Sequence, residues 1–216
     1  MGTREEEFLS AVQAGDPETV DALLAATPGL ADTRTGGGVS ALMLALYAGH
    51  RGVARRIAAS RDGLDMFEAA ALGMPDHLRR SLDLDPEGAD HLSADGMRPL
   101  HLAARFGQAE ACSVLLDTGA DPDRVSDNPI AFCPLHAAVA GASLECAELL
   151  LDAGADPNRP QGDGLTPLMA AAATGQIELV ELLLDHGADP HSQSRDGLTA
   201  GQLAARQGYD DLLELL

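Results

Sequence analysis

The chain of 216 residues carries 34 acidic and 14 basic side chains, which gives a formal net charge of −20. Such an acidic chain repels phosphate backbones, and 3% aromatic residues with no tryptophan offer few surfaces for stacking bases, so we expect no nucleic-acid partner. No apolar run reaches 18 residues and the opening MGTREEEF is acidic, so we expect no membrane association and a cytoplasmic location. All 14 basic residues are arginine, which is typical of an Arg-biased, GC-rich bacterial genome.

The amino-terminal half contains two helix-start signals and a repeated interval. Thr3 with Glu6, and Asp65 with Glu68, have the spacing of a capping box, which predicts helices that begin directly after Thr3 and Asp65. Alanine-rich stretches in this half end at glycines that recur after 58 residues, Gly15 and Gly49 returning as Gly73 and Gly107. The interval indicates a duplicated cassette of two units.

The carboxy-terminal half repeats at a shorter period. The string GADP begins at Gly119, Gly154 and Gly187, at intervals of 35 and 33 residues. The stretches before it read RPLHLAARFG, CPLHAAVAGA, TPLMAAAATG and TAGQLAARQG, and those that end in it read EACSVLLDTGADP, LECAELLLDAGADP and IELVELLLDHGADP. A period near 33 residues with the same residue types at the same offsets indicates a stacked-repeat protein.

Each repeat carries local signals for two helices and a turn. Proline stands where a first helical position tolerates a missing N–H, at Pro99, Pro134 and Pro167, with Thr166 as a predicted cap. The apolar residues Ile177, Val180, Leu183 and Leu184 form one stripe of a second helix. Hairpin tips are predicted at the DG pairs Asp95-Gly96, Asp163-Gly164 and Asp196-Gly197.

These segments resemble ankyrin repeats, whose pattern TPLHxAAxxGxxExVxxLLxxGADxN they follow closely from about Ser93 to Leu216. The resemblance implies an all-α fold, a solenoid of about seven stacked helix pairs with projecting β-hairpin or loop fingers, in a single domain over residues 1–216. The helix pairs are expected at about residues 4–30, 40–60, 65–90, 98–122, 133–157, 166–190 and 199–216.

Two spacings depart from this pattern. Gly49 and Gly73 are only 24 residues apart, which is too short for a hairpin as well as two helices, so one finger is expected to be missing there. The stretch RVSDNPIAFC lengthens the loop between the fourth and fifth pairs by two residues. The leucines of the final DLLELL are expected either to pack inward or to meet another chain.

Cys133 and His136 have the separation of a metal-binding pair, but they occupy the Thr and His positions of the repeat motif. In ankyrin repeats this histidine braces the helix start and the hairpin by hydrogen bonding, so the resemblance implies a structural role. His101 occupies the same position, but Arg98 replaces the hydroxyl residue beside it. Other units replace the histidine with Met43, Phe67, Met169 and Gln202, so we expect no metal and no cofactor.

No motif in the sequence indicates catalysis. A Gly-rich phosphate loop, a GxSxG elbow and an HExxH helix are all missing, and a stacked solenoid offers a shallow groove where catalysis prefers an enclosed pocket. Cys112 and Cys146 fall within apolar second helices and are predicted to be buried free thiols. We therefore expect a protein that is not an enzyme.

The resemblance also implies a partner-binding surface, because ankyrin repeats usually hold partners at hairpin tips and at exposed positions of the first helices. The hypothesis places it on Tyr47, Met97, Arg105, Phe106, Ile130, Phe132, Leu165, Thr174, Arg195 and Arg206. Aromatic and arginine side chains anchor interfaces, so we expect its centre around Tyr47, Arg105, Phe106, Ile130 and Phe132. The alternative is that Phe106 and Phe132 only pack between adjacent fingers.

Residues 51–80 hold six arginines against four acidic residues, in contrast to the rest of the chain. They form either a basic patch for an acidic partner segment or, because Arg51 and Arg55 are four residues apart, the solvated face of a second helix.

Three functions remain open from the sequence. The first is a monomeric adaptor or scaffold that binds a protein partner, and we predict this one because it needs nothing beyond the repeats. The second is an acidic inhibitor or immunity-type protein that masks a basic enzyme surface. The third is an enzyme or small-ligand binder, which requires a closed, polar-lined pocket.

Overall fold

The computed structural model describes residues 3–216, and the regular secondary structure in that range is helical, in two layers. The first layer holds α1 (Arg4–Ala14), α3 (Ala41–Tyr47), α5 (Met66–Leu72), α7 (Pro99–Arg105), α9 (Pro134–Ala140), α11 (Pro167–Ala173) and α13 (Ala200–Gln207). The second layer holds α2 (Pro17–Ala26), α4 (Arg51–Ala59), α6 (Pro75–Leu84), α8 (Ala109–Asp117), α10 (Leu144–Asp152) and α12 (Ile177–Asp185). Each first-layer helix contacts the next one along the chain, so the units stack side by side and the predicted all-α solenoid is confirmed.

Capping residues explain where several helices begin. The side chains of Thr3 and Asp65 accept the backbone N–H groups of Glu6 and Glu68, whose carboxylates accept the cap N–H groups in return, at 2.8 and 3.1 Å. Both predicted capping boxes are therefore confirmed. The hydroxyl of Thr166 accepts a backbone N–H from the first turn of α11 at 3.3 Å, so this predicted cap is confirmed too.

The seventh unit is shorter than the predicted helix pair. After α13 the chain forms a 3-10 helix, Asp210–Glu214, in place of a second α-helix. Five residues make less than two α-helical turns, and the tighter 3-10 geometry is typical of such short pieces. Leu212 is buried, whereas Leu213 and Leu215 are exposed, so the final leucines pack inward only in part.

The loops between units, which the sequence predicts to project as β-hairpin or loop fingers, form turns without strands in residues 3–216. Within residues 3–216 the strand-like pairing amounts to one isolated antiparallel bridge, between Arg34 and Ser40. The loop before α7 is closed by a single backbone bond of this kind, from the Ser93 N–H to the Met97 oxygen at 2.8 Å. Because the arms of these loops are one or two residues long, they cannot build the ladder that a strand requires.

The third unit lacks a hairpin loop, as the 24-residue spacing predicts. Residues 60–65 connect α4 to α5, and Asp65 already caps the next helix. The loops on either side approach each other instead, since a Cβ atom at Gly38 would lie 3.1 Å from the Cβ of Ala94. The second and fourth units therefore touch across the short third unit.

Backbone hydrogen bonds connect the loops of units four, five and six. The Asp127 N–H donates to the Gly96 oxygen and the Gly162 N–H donates to the Ile130 oxygen, both at 2.7 Å. A Cβ atom at Gly96 would lie 2.0 Å from the Asp127 oxygen, and one at Gly162 would lie 2.5 Å from the Ile130 oxygen. Glycine at these two positions thus allows a direct contact between backbones that fixes the loops relative to each other.

A buried ion pair stands at the motif-histidine position of the third unit. Because Asp65 is the cap, the residue in that position is Glu68 and not Phe67, which corrects the assignment from the sequence. The Glu68 side chain is fully buried and both of its oxygens accept from Arg61 Nη1, at 2.6 and 2.7 Å. Arg61 Nε also lies 2.8 Å from Asp32 Oδ1, so the Arg61 guanidinium forms ion pairs with two carboxylates, those of Glu68 and Asp32.

Candidate partner-binding site

One open groove brings together five of the residues that the hypothesis names. This groove, called the central groove below, has a volume of about 350 Å³ and is lined by Tyr47, Asp95, Met97, Arg105, Asn128, Ile130 and Phe132. Its walls come from the last residues of α3 and α7 and from the loops before α7 and α9. The central groove is therefore built by three units and not by one.

Contacts with the fourth unit fix the orientation of Tyr47. Its hydroxyl donates to Asp95 Oδ2 at 2.5 Å, and its ring centroid lies 5.6 Å from that of Phe106. Burial and the bond to the Asp95 carboxylate raise the pKa of Tyr47 above its ordinary value. The phenol therefore stays protonated and remains a donor.

Phe106 and Met97 support the central groove from below its surface. Phe106 is 9% exposed and Met97 is 7% exposed. The Phe106 carbonyl accepts from Arg51 Nη2 at 3.0 Å, and the Phe106 ring packs on Tyr47, which belongs to another unit. For Phe106 this burial favours the alternative interpretation, in which the ring packs between units and offers little surface to a partner.

The lengthened loop before α9 presents Ile130 to solvent. Asn128 Oδ1 accepts the N–H groups of Ile130 and Ala131 at 3.1 and 3.2 Å, and Ser126 Oγ accepts the N–H of Phe132 at 3.0 Å. Ile130 nevertheless remains 54% exposed. The hydrogen bonds within the loop thus hold the loop in a conformation that leaves the large apolar side chain of Ile130 exposed to solvent.

Phe132 is half-buried and is positioned by His101. The two rings meet edge to face at 5.5 Å, and His101 Nε2 donates to the Phe132 carbonyl at 3.0 Å. Burial lowers the pKa of His101 to about 4, so its imidazole is neutral at physiological pH. In the described part of the chain, His101 Nδ1 has no hydrogen-bond partner, as expected from Arg98 in the hydroxyl position.

Arg105 brings an unpaired positive charge to the central groove. It is the last residue of α7 and is half-buried. Within residues 3–216, no carboxylate lies within 4 Å of its guanidinium. The Asp95 carboxylate is already engaged, because Oδ2 accepts from Tyr47 and Oδ1 accepts from Ser93 Oγ at 2.5 Å.

The other four residues of the hypothesis lie outside the central groove, in later units. Leu165 is half-buried and its carbonyl accepts from His136 Nε2 at 3.0 Å. Thr174 is exposed and its hydroxyl donates to its own helix backbone at 2.9 Å. Arg195 and Arg206 are exposed. None of these four residues lines the central groove.

Asp95 and Asn128 line the central groove although the sequence hypothesis omits them. The sequence identifies Asp95 only as a turn former in a DG pair and assigns no role to Asn128. Both are polar residues at loop tips, and each is two positions from a predicted binding residue. That proximity is the signal in the sequence that could have included them.

Cys133 and His136 have the structural role that the motif implies. Cys133 Sγ lies 3.1 Å from His136 Nδ1, and His136 Nε2 reaches the next loop through the Leu165 carbonyl, so the predicted bracing is confirmed. Burial raises the pKa of the Cys133 thiol and lowers the pKa of His136, so both groups are neutral. No group of three or more potential ligands for a metal ion occurs among the described residues. Cys112 and Cys146 are buried free thiols, as predicted.

Most arginines of the basic segment 51–80 already contact acidic side chains or carbonyl groups of the protein itself. Five of its six arginines make internal contacts: Arg56 with Asp21, Arg61 with Glu68 and Asp32, Arg79 with Asp76, and Arg51 and Arg80 with the carbonyls of Phe106 and Asp76. These contacts favour the interpretation as helix surface over a basic patch that is free for a partner.

A second cleft, of about 250 Å³, occurs where the third unit lacks its loop. Met43 and Phe67 line it, together with the ion pair of Arg34 and Asp65 at 3.2 Å. Residue Asp95 borders both this cleft and the central groove. The two depressions therefore adjoin at Asp95.

Stacked helix pairs, short inter-unit loops and an open groove across several units define a helical repeat protein with an extended surface. The chain matches the family described as ankyrin repeats (3 copies) over residues 66–161 and that described as ankyrin repeats (many copies) over residues 150–204. The chain belongs to the ankyrin-repeat family. None of the curated proteins compared with it matches.

Ankyrin repeats are generally protein–protein interaction modules and are typically non-catalytic. In the range 3–216, no helix combines the length and the apolar character needed to cross a bilayer.

Proposed function

We propose that the protein is a non-catalytic adaptor or scaffold that binds a protein partner through the central groove and the loops beside it. The observation that carries this proposal is Ile130, an apolar side chain 54% exposed on a loop held by hydrogen bonds. Half-buried Tyr47 and Phe132 and unpaired Arg105 surround the same groove. Aromatic and arginine groups around an exposed apolar centre are features of interface hot spots.

The preformed shape of the central groove supports binding. Gly162 and Asn128 hold the Ile130 loop, and the bond to Asp95 holds Tyr47, so these groups lose little conformational freedom when a partner binds. We propose a monomer that acts in the cytoplasm without a cofactor.

An acidic inhibitor is the second candidate, and the outer layer of helices supports it. The exposed faces of α8, α10 and α12 carry Glu110, Asp117, Glu145, Glu148, Asp152, Glu178, Glu181 and Asp185. A basic enzyme surface would be complementary to this face and not to the central groove. The two candidates therefore use opposite layers of the same stack.

Variants of each face distinguish the two candidates. The protein is immobilised, cell extract from its source is passed over it, and retained proteins are compared between wild type, Ile130→Asp and the outer-face variant Glu148→Gln with Glu181→Gln. Both sets of side chains are exposed or partly exposed, so the fold should persist, and circular dichroism checks this.

The adaptor proposal predicts that Ile130→Asp weakens binding of the retained partner at least tenfold, about 1.4 kcal/mol, while the outer-face variant binds like wild type. Loss of binding in the outer-face variant alone, together with a steep decrease of affinity with salt, would instead establish the acidic inhibitor.

A further inference from the structure

From α3 onward, the exposed acidic side chains on α-helices lie in the second layer. The first-layer helices α3, α7, α9, α11 and α13 contain no Asp or Glu, and their charged residues are Arg105 and Arg206. In α5 the acid is Glu68, which is buried and paired with Arg61. The second-layer helices α8, α10 and α12 carry eight acidic residues. The exception in the first layer is α1, which carries exposed Glu5, Glu6 and Glu7, so exposed negative side chains are absent from the first-layer helices only from α3 onward.

In the central groove this division leaves one guanidinium without a partner. The acidic residue of the groove lining is Asp95, and each of its carboxylate oxygens accepts one hydroxyl group. The acceptor oxygen of Asn128 is also occupied, by the N–H groups of Ile130 and Ala131. Within residues 3–216 no carboxylate lies within 4 Å of the Arg105 guanidinium, and a bound carboxylate would supply a charge-assisted acceptor.

The rest of the wall selects an apolar group. Ile130, Phe132 and the edge of Met97 contribute carbon surface, and Tyr47 contributes a ring whose hydroxyl is already bonded. A volume of about 350 Å³ lies at the low end for ligand pockets, and the groove is open to solvent. It suits one or two side chains of a chain segment that lies across it, and not a folded domain.

We propose that the central groove recognises a segment of the partner protein in which a large apolar side chain is flanked by an acidic residue. The apolar side chain packs on Ile130 and Phe132, and the carboxylate pairs with Arg105. This inference rests on the proposed function and deepens it, because it states the chemistry of the partner. It also requires that a protein of strongly negative charge attracts an acidic segment locally, through one unpaired arginine.

A random library of short displayed peptides tests the inference. Peptides that bind the immobilised wild-type protein are selected, counter-selected against Ile130→Asp, and sequenced. Large apolar residues with Asp or Glu within a few positions should be enriched. In the strongest peptide, replacement of the acid by its amide should weaken binding about three- to tenfold, as expected for a partly desolvated ion pair.

Substitutions at arginine assign the effect to one residue. Arg105→Gln should abolish the preference for acid over amide, Arg105→Lys should keep part of it, and Arg206→Gln, the matched control on α13, should leave it unchanged. Thermal unfolding of each variant checks that the fold is retained.

Three outcomes distinguish this inference from the proposed function. Acid-enriched peptides whose preference depends on Arg105 support both. Peptides that depend on Ile130 but are neutral or basic overturn the acidic partner chemistry and leave the adaptor function standing. If counter-selection against Ile130→Asp removes every peptide that binds the wild type, both are overturned.

Discussion

The backbone of Gly141 lies against the carbonyl group of Arg105, so closely that a Cβ atom at Gly141 would come within 2.1 Å of the Arg105 oxygen. Gly141 has a φ angle of −89°, whereas Ala142 beside it has a φ angle of 50°. Other units place their glycine at the second of these two positions. The fifth unit thus uses its glycine for the close approach of α9 to α7 and accepts an alanine in the left-handed region.

Substitutions at Ala142 and at Gly141 should change the free energy of unfolding in opposite directions. Ala142→Gly removes the strain of a Cβ atom at positive φ and should raise the free energy of unfolding by about 1 kcal/mol. Gly141→Ala forces α9 away from α7 and should lower it by about 2 to 3 kcal/mol. Urea denaturation of the two variants measures both effects. Equal stabilities would show that the close approach is not required.

Cys133→Thr should stabilise the protein by about 1 kcal/mol. Cys133 is the cap residue of α9 but makes no side-chain cap bond, whereas Thr166 at the matching position of α11 does. A threonine hydroxyl would cap the helix and keep the contact with His136 Nδ1. Thermal unfolding is compared with that of Cys146→Ser, a buried thiol position where a hydroxyl has no such cap to form and should destabilise. A decrease for both variants would contradict the capping argument.

Glu68→Gln should lower the free energy of unfolding by about 3 kcal/mol, because it leaves the partly buried Arg61 with the exposed Asp32 as its remaining acid partner. The exposed pair of Arg79 and Asp76 provides the control, since Asp76→Asn should cost less than about 1 kcal/mol. Chemical denaturation gives both values. Similar costs for the two substitutions would mean that burial of Glu68 adds nothing.

The stability contributed by His101 should depend on pH. Its folded pKa of about 4 lies below the ordinary value of about 6.5, so the unfolded state binds more protons between these values. The contribution is complete above about pH 6.5 and is lost as the pH falls towards 4, at up to about 1.4 kcal/mol per unit. The stability difference between wild type and His101→Gln should therefore shrink from about pH 7 to about pH 4.5. The exposed residue His191, changed to Gln, serves as control.

The phenol of Tyr47 should resist ionisation. Burial and the Asp95 carboxylate raise its pKa, so in a Tyr209→Phe background, where it is the single tyrosine, phenolate absorbance should develop well above about pH 10. Asp95→Asn should bring the transition to lower pH while burial keeps it above the ordinary value. Ionisation near pH 10 in both proteins would mean that the bond between the two side chains does not form.

The repeat period and the local caps make most of the fold predictable from the sequence. Thr3, Asp65 and Thr166 act within one helical turn, and local hydrogen bonds of this kind depend little on the rest of the molecule. The motif leaves open whether a finger is a β-hairpin or a loop, because strand pairing depends on how many residues neighbouring loops bring into register. The motif does not encode that length.

The candidate site is predictable in part. Tyr47, Arg105, Ile130 and Phe132 are placed by the repeat register, and the central groove does bring them together. The burial of Phe106 is not readable from the register, because it results from Tyr47 reaching across the short third unit to cover the ring. Contacts between units that are not neighbours fall outside a pattern that repeats unit by unit.

Those same contacts bear on how the stack opens. In a regular repeat protein each unit contacts only its two neighbours, so the terminal units can unfold one at a time. Tyr47 and Arg51 of the second unit instead contact Phe106 of the fourth unit directly, although the third unit lies between them in the chain. These contacts make the second, third and fourth units one cooperative segment, so their amide protons should exchange with solvent together. A ligand bound beside Tyr47 would slow amide exchange in all three units.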